Sequence, residues 1–191
     1  MKRKALFLDR DGVINVDYGY VHQKQDCVFV AGIFDLVRLA NATGYQVVIV
    51  TNQAGIGRGY FSEAQFVAFM DWMRGAFEAR GARIDRVYFC PHHPAAGVGA
   101  YKQACECRKP QPGMLHEARR DLDLSMAESI MVGDKPSDLE AAERAGVGRR
   151  FLFVGAHRVD HAAHEAEAGT IFCLSDVEAA LEASGGRAGR V

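Results

Sequence analysis

Two acids one residue apart, Asp9 and Asp11 in "FLDRDG", close a run that begins as an apolar strand. A third acid, Asp134 in "VGDKPSD", stands at the end of another such run, and Thr51 with Asn52 ends a third, "VVIVTN". Taken singly, residues of these types are ordinary turn formers and helix caps. Their recurrence at three strand ends points to a site. Carboxylates gathered from different strands would repel one another unless a cation lay between them, and hard oxygen ligands suit Mg²⁺. A metal with open positions would then take a phosphoryl oxygen. Its remaining charge needs donors: the Thr51 hydroxyl, the backbone N–H groups after Asp9, and the cations Arg108 and Lys109 of "CRKP". That chemistry is phosphoryl transfer, in which positioning and charge stabilisation supply most of the catalysis.

A second constellation lies just before those cations. Cys90-x-His92, twelve intervening residues and Cys105-x-Cys107 offer three sulfurs and a nitrogen, a set that suits tetrahedral Zn²⁺, with His93 as the other available imidazole. With all four positions filled by protein the role would be structural, stapling the loop that presents Arg108 and Lys109. The other two of the five cysteines, Cys27 and Cys173, read as small buried hydrophobes.

Such residues need elements to hold them. Apolar runs rich in β-branched residues, "KALFLD" (4–9), "YQVVIVT" (45–51), "IDRVYFC" (84–90), "SIMVGD" (129–134), "RRFLFV" (149–154) and "TIFCL" (170–174), alternate with helical periodicity. Runs buried on both faces and separated by helices predict a parallel sheet, whose strands turn their carboxyl ends toward one crevice. The first helix is expected over 33–44, with Ile33, Leu36, Val37 and Ala40 inward and Gly44 as its stop. The second starts at a Ser62/Gln65 capping box and buries Phe66, Phe69, Met70, Met73 and Phe77. Others run from Pro112 to about Leu122, from a Ser137 cap to about Gly146, and from Ser175 to about Ala183. The long connections 10–32 and 90–110 are expected to be functional or braced.

A chain of 191 residues, 49% hydrophobic, suits one α/β domain over 1–184 with a frayed tail at 185–191. With 23 Lys plus Arg against 24 Asp plus Glu, the net charge of -1 provides no long-range attraction to nucleic acid or anionic membrane. No apolar run approaches the ~20 residues of a membrane span, and the charges of "MKRKALFLDRD" interrupt the apolar region a signal peptide needs. A soluble, cytoplasmic monomer acting on a small molecule is the simplest reading.

In order and in strand position, "FLDRDG", "VTNQ", the Lys of "CRKP" and "VGDKPSD" resemble the four motifs of the haloacid dehalogenase (HAD) superfamily of aspartyl phosphatases, over about residues 4–154. The resemblance implies a three-layer Rossmann-like fold with a mainly parallel sheet. By it, Asp9 would attack phosphorus, while Asp11 would protonate the leaving alkoxide and later take a proton from water. Asp9, the backbone carbonyl of Asp11 and the Asp134 carboxylate would hold Mg²⁺, and Thr51 and Lys109 the transferred group. Asp138 would orient Lys135 or cap its helix. The same pattern favours His92 over His93 in the zinc set.

Helix and strand already occupy residues 33–51, so no large cap domain fits between Asp9 and Thr51, and specificity falls to loops 10–32, 51–61 and 90–110. Within the superfamily the zinc loop is similar to two groups, phosphatases of a sugar bisphosphate and of histidinol phosphate. "DRDGVINVDYGYVH", "TNQAGIGRGYF", "YFCPHHP" and "CRKPQPGML" lie closer to the former. That analogy puts Arg10, Asp17, Tyr18, Gly19, Tyr20, Thr51, Asn52, Gln53, Ala54, Lys109 and Lys135 around the substrate, with Arg108 at a distal phosphate. Histidinol phosphate has no second phosphate for Arg108 to meet. A non-enzymatic zinc module that binds nucleic acid would need a basic patch with aromatics, whereas this loop carries only Lys102, Arg108 and Lys109. "GIGRG" (55–59) lacks the dinucleotide spacing and reads as a flexible surface loop. His157, His161 and His164 read as a solvated helix face, and Trp72 as core.

Overall fold

The computed structural model describes residues 2–155, 170, 171 and 173–185. His157, His161, His164 and the tail beyond residue 185 lie outside the described residues. In chain order the elements are β1 (Lys4–Leu8), α1 (Ile33–Ala42), β2 (Tyr45–Asn52), α2 (Ala54–Gly57), α3 (Glu63–Glu78) and β3 (Arg86–Cys90). They are followed by α4 (Gly113–Leu122), β4 (Ile130–Gly133), α5 (Pro136–Arg144), β5 (Arg149–Phe153), β6 (Thr170–Ile171) and α6 (Ser175–Gly185).

Continuous apolar strands need cover on both faces, and alternation divides their side chains between two cores. Leu6, Leu8, Val47, Ile49, Ile130 and Val132 pack with α1, α3 and α6 on one side of the sheet. Ala5, Phe7, Val48, Val50 and Met131 pack with α4 and α5 on the other. All six strands run parallel in the order β3-β2-β1-β4-β5-β6. The chain thus works outward from β1 through β2 to β3, then returns to β4 on the other side of β1. Successive crossovers diverge at that point and leave a crevice beyond the carboxyl ends of β1, β2 and β4. Asp9, Thr51 and Asp134 stand there.

The connection after β1 folds back as an arm rather than as a separate domain. Val13, Ile14 and Val21 are buried in the first core. The Val16 N–H donates to the Val28 carbonyl at 2.8 Å and the Val30 N–H to the Ile14 carbonyl at 2.9 Å, leaving 17–20 as an exposed tip. α3 opens on the expected box: Ser62 Oγ accepts the Gln65 N–H at 3.1 Å, and Gln65 Oε1 accepts the Ser62 N–H at 2.8 Å. Trp72 packs against the core, as expected.

Three sequence expectations change. Ser137 lies inside the first turn of α5; Lys135 is the N-cap, and its N–H is accepted at 3.0 Å by Asp138 Oδ2, a stronger acceptor than a hydroxyl. Cys27 is only half-buried against the core, and Cys173 is exposed. "GIGRG" is not a flexible surface loop: Gly55, Ile56 and Gly57 form the buried helix α2. A Cβ on Gly55 would overlap the Phe61 ring, and one on Gly57 the Pro91 carbonyl, so these glycines serve close packing.

Candidate active site

Asp9 follows β1 directly, its N–H bonded to the Val132 carbonyl of β4 at 3.0 Å, so two strands fix its position. Its Oδ1 accepts Lys109 Nζ at 2.9 Å. The same ammonium donates to the Val50 carbonyl at 2.8 Å and lies 2.7 Å from Asp138 Oδ1. Burial works against the charge on Lys109, but Asp9 and Asp138 outweigh it and raise its pKa, so the lysine stays charged. Lys109 is further fixed by its own backbone, whose N–H donates to Asn52 Oδ1 at 3.0 Å while its carbonyl accepts Asn52 Nδ2 at 3.1 Å. Asp138 therefore does cap the helix, but its ion pair is with Lys109 and not with Lys135. Lys135 Nζ instead lies 3.4 Å from Asp134 and 3.3 Å from Asp17.

Carboxylate oxygens of Asp9, Asp134 and Asp138 lie within 4.8 Å of one another, all three residues buried. Burial and the neighbouring Asp9 push the Asp134 carboxyl from its ordinary 3.8 up to about 7. One oxygen of Asp134, Oδ1, is buried without a hydrogen-bond partner among the described residues. A buried carboxylate oxygen without a donor, beside a second carboxylate, fits a hard divalent cation. Gly12 turns with φ 95°, and a Cβ there would overlap Asp134, so the Asp11–Gly12 backbone lies directly against that carboxylate. That close approach suits a metal ligand from the Asp11 carbonyl.

Asp11 points to the other side. Its Oδ1 accepts Asn15 Nδ2 at 3.1 Å, and its Oδ2 accepts Gln53 Nε2 at 3.0 Å. Gln53 also donates to Thr51 Oγ1 at 2.9 Å, tying the two residues together. The Arg10 side chain does not line the crevice: it is 0% exposed. Nε and Nη2 grip Asp11 at 3.1, 2.7 and 2.6 Å, and Nη2 also donates to the Val21 carbonyl at 2.7 Å. An arginine beyond a strand end can turn under the sheet when an acid and aromatic faces await it there.

The second cluster has the expected members. The sulfurs of Cys90, Cys105 and Cys107 are 2.9, 3.3 and 3.5 Å apart, and His92 Nδ1 is 3.7 and 3.4 Å from two of them. Disulfide sulfurs would sit ~2.05 Å apart; ligands about 2.3 and 2.0 Å from one tetrahedral ion sit roughly 3.5 to 3.8 Å from each other. The cluster is compatible with zinc. His93 is turned away, its Nδ1 accepting the N–H groups of Ala95 and Ala96 at 3.2 and 2.9 Å. Arg108 Nη1 donates to the His92 carbonyl at 3.2 Å, so one ligand residue also steers a cation. The loop is sewn to its neighbours as well: Gln53 N–H to the Cys90 carbonyl at 2.7 Å, Val98 N–H to the Gly57 carbonyl at 2.8 Å, and Tyr101 Oη to Glu63 at 2.9 Å.

Of the remaining predicted residues, Tyr18, Gly19 and Tyr20 are exposed at the arm's tip, Asp17 pairs with Lys135, and Ala54 opens α2. Sequence reasoning missed Asn15 as a holder of Asp11 and the Asp138–Lys109 pair. The i, i+4 step from Asp134 to Asp138 was visible; its partner from a remote loop was not.

A parallel-sheet crevice holding buried aspartates and a lysine is the arrangement of the HAD-like hydrolases, and this chain, like its relatives, is a phosphatase among them, a phosphoric monoester hydrolase. The HAD-hydrolase-like family model matches residues 106–180. The D-glycero-alpha-D-manno-heptose-1,7-bisphosphate 7-phosphatase of Burkholderia mallei is 55% identical over 152 residues, 80% of each chain. The D-glycero-beta-D-manno-heptose-1,7-bisphosphate 7-phosphatase of Escherichia coli K12 is 44% identical over 178 residues, 93% of each. The B. bronchiseptica D,D-heptose 1,7-bisphosphate phosphatase, solved with magnesium and phosphate, superposes with a TM-score of 0.79 at 34% identity, covering 94% of this chain and 98% of its own. The chain belongs to the D-glycero-D-manno-heptose-1,7-bisphosphate 7-phosphatase family.

Proposed function

We propose that this phosphatase removes the 7-phosphate of D-glycero-D-manno-heptose 1,7-bisphosphate through an aspartyl-phosphate on Asp9, in the synthesis of ADP- or GDP-heptose for lipopolysaccharide or surface glycans. The observation that carries the reading is Lys109 Nζ, 2.9 Å from the Asp9 carboxylate, beside an Asp134 oxygen that lacks a donor. A nucleophile, a fixed cation and an anionic cation-binding pocket thus meet where a phosphoryl group would sit.

An Asp9 oxygen attacks phosphorus as the bond from phosphorus to the sugar oxygen breaks, and the leaving oxygen takes a proton from Asp11. Water then attacks the phosphorus of the acyl phosphate, gives a proton to Asp11, and frees inorganic phosphate and the Asp9 carboxylate. Thr51 and Lys109 hold the equatorial oxygens throughout. Asp9, Asp134 and the Asp11 carbonyl would hold Mg²⁺, which supplies charge neutralisation at the phosphoryl oxygens. Zinc on Cys90, His92, Cys105 and Cys107 would keep Arg108 beside the mouth, where a guanidinium fork suits the 1-phosphate.

A phosphate-release screen over sugar bisphosphates, sugar monophosphates and histidinol phosphate, with Mg²⁺ added or withdrawn, tests this. The heptose bisphosphate should lead in kcat/KM by orders of magnitude, and only with Mg²⁺. Equal rates on histidinol phosphate would overturn the substrate assignment.

A further inference from the structure

Arg10 is the largest fully buried side chain among the described residues and lies behind the crevice. A buried guanidinium is costly unless paired, and here the pairing is nearly complete. Nε and Nη2 reach Asp11 at 3.1, 2.7 and 2.6 Å, and Nη2 reaches the Val21 carbonyl of the arm at 2.7 Å. Nη1 has no hydrogen-bond partner among the described residues. The group is instead cradled by aromatic faces, its Cζ 5.6 Å from the Phe66 centroid and 5.3 Å from that of Phe69, both on α3. The guanidinium is thus pinned by the arm, by α3 and by Asp11.

Asp11 has less freedom still. Asn15 and Gln53 add a donor to each oxygen, and Gln53 links the carboxylate to Thr51. Only Arg10 grips both oxygens in a fixed plane. Asn15 and Gln53 each reach a single oxygen through one neutral bond, so the charged fork of Arg10 is the strongest hold on the carboxylate plane.

We propose that Arg10 is a positioning residue that sets the aim of the Asp11 carboxyl, so that the proton reaches the leaving oxygen as its bond to phosphorus breaks. The inference rests on the role of Asp11 in the proposed function. A buried ion pair that served only the fold would, when weakened, lower stability and slow all substrates alike. A positioning role has a different signature, because an aryl leaving group departs without a proton and a sugar alkoxide does not.

The test compares Arg10→Lys with wild type and Asp11→Asn, using heptose bisphosphate and 4-nitrophenyl phosphate, with melting curves to establish the fold. Lysine keeps the charge and loses the fork. Arg10→Lys is expected to lose ~10²-fold in kcat/KM on the sugar phosphate and under about 10-fold on the aryl phosphate, because kcat/KM covers only the steps through phosphoryl transfer and leaves out the hydrolysis both substrates share. Asp11→Asn should show the same split, only larger. A folded Arg10→Lys enzyme that slows both substrates equally, or neither, overturns the proposal. If Asp11→Asn shows no split, the role of Asp11 itself falls and Arg10's with it, a result distinguishable from failure of Arg10 alone. Should Arg10→Lys not fold, Phe69→Leu, which removes one ring from the cradle, is measured the same way. A split of roughly 3-fold or more supports the proposal, and none overturns it.

Discussion

The two ligand clusters are built by opposite means. Asp9 and Asp134 stand at the ends of adjacent parallel strands whose register, Leu8 beside Val132, fixes their separation before any ion arrives. The Cys90, His92, Cys105 and Cys107 cluster has one member on β3, while the others lie on a connection with a single short 3₁₀ turn, Gly99–Tyr101. The first cluster is held rigidly with like charges close together; the second would be neutralised by an ion and slack without one. A sheet can hold like charges close together because its backbone bonds oppose their repulsion, whereas a long loop needs a cross-link to hold anything. Lys109 belongs to both regions, carried on the loop and paired with the acids.

That contrast is sharpest in substitutions. Asp9→Asn should lower kcat by ~10⁴-fold or more while metal content of the Cys/His cluster and melting temperature stay near wild type, because the proposed nucleophile goes and the frame remains. Cys107→Ser should act the other way. Zinc is expected to be lost, hydrogen exchange across 91–110 to speed up, and kcat/KM to fall on the order of 10²-fold through misplaced Arg108 and Lys109. Full activity in a zinc-free preparation would break the comparison.

The smallest effect concerns pH. The Asp134 pKa is raised from 3.8 to about 7, so in metal-free protein the favourable contribution of its protonated form is complete below about pH 4 and lost as pH rises through about 7. Mg²⁺ should reverse that loss by binding the ionised form. Melting curves should therefore show a larger Mg²⁺-induced rise at pH 8 than at pH 5.5, by roughly several degrees. An equal rise at both values would place the ion away from Asp134.

The strand ends were legible in the sequence because apolar runs buried on both faces have few other solutions, and polar residues closing three of them stand out. The Cys and His cluster was legible from spacing, the family resemblance favoured His92 over the adjacent His93, and the structure turns His92 toward the sulfurs and His93 away. Arg10 was misread because its side chain turns inward to partners, Val21, Phe66 and Phe69, that no local spacing reveals. Gly55 and Gly57 failed for a similar reason: glycines in a loop look alike whether they give freedom or allow close packing, and Phe61 and Pro91 decide the matter from elsewhere.

The most direct measurement is a trap of the covalent intermediate. Asp11→Asn, mixed with Mg²⁺ and 4-nitrophenyl phosphate, whose leaving group needs no proton, and quenched in acid, should carry one phosphoryl group, and peptide mapping should place it on Asp9. A quenched protein that turns substrate over yet carries no phosphoryl group, or carries it on another residue, would contradict the central claim.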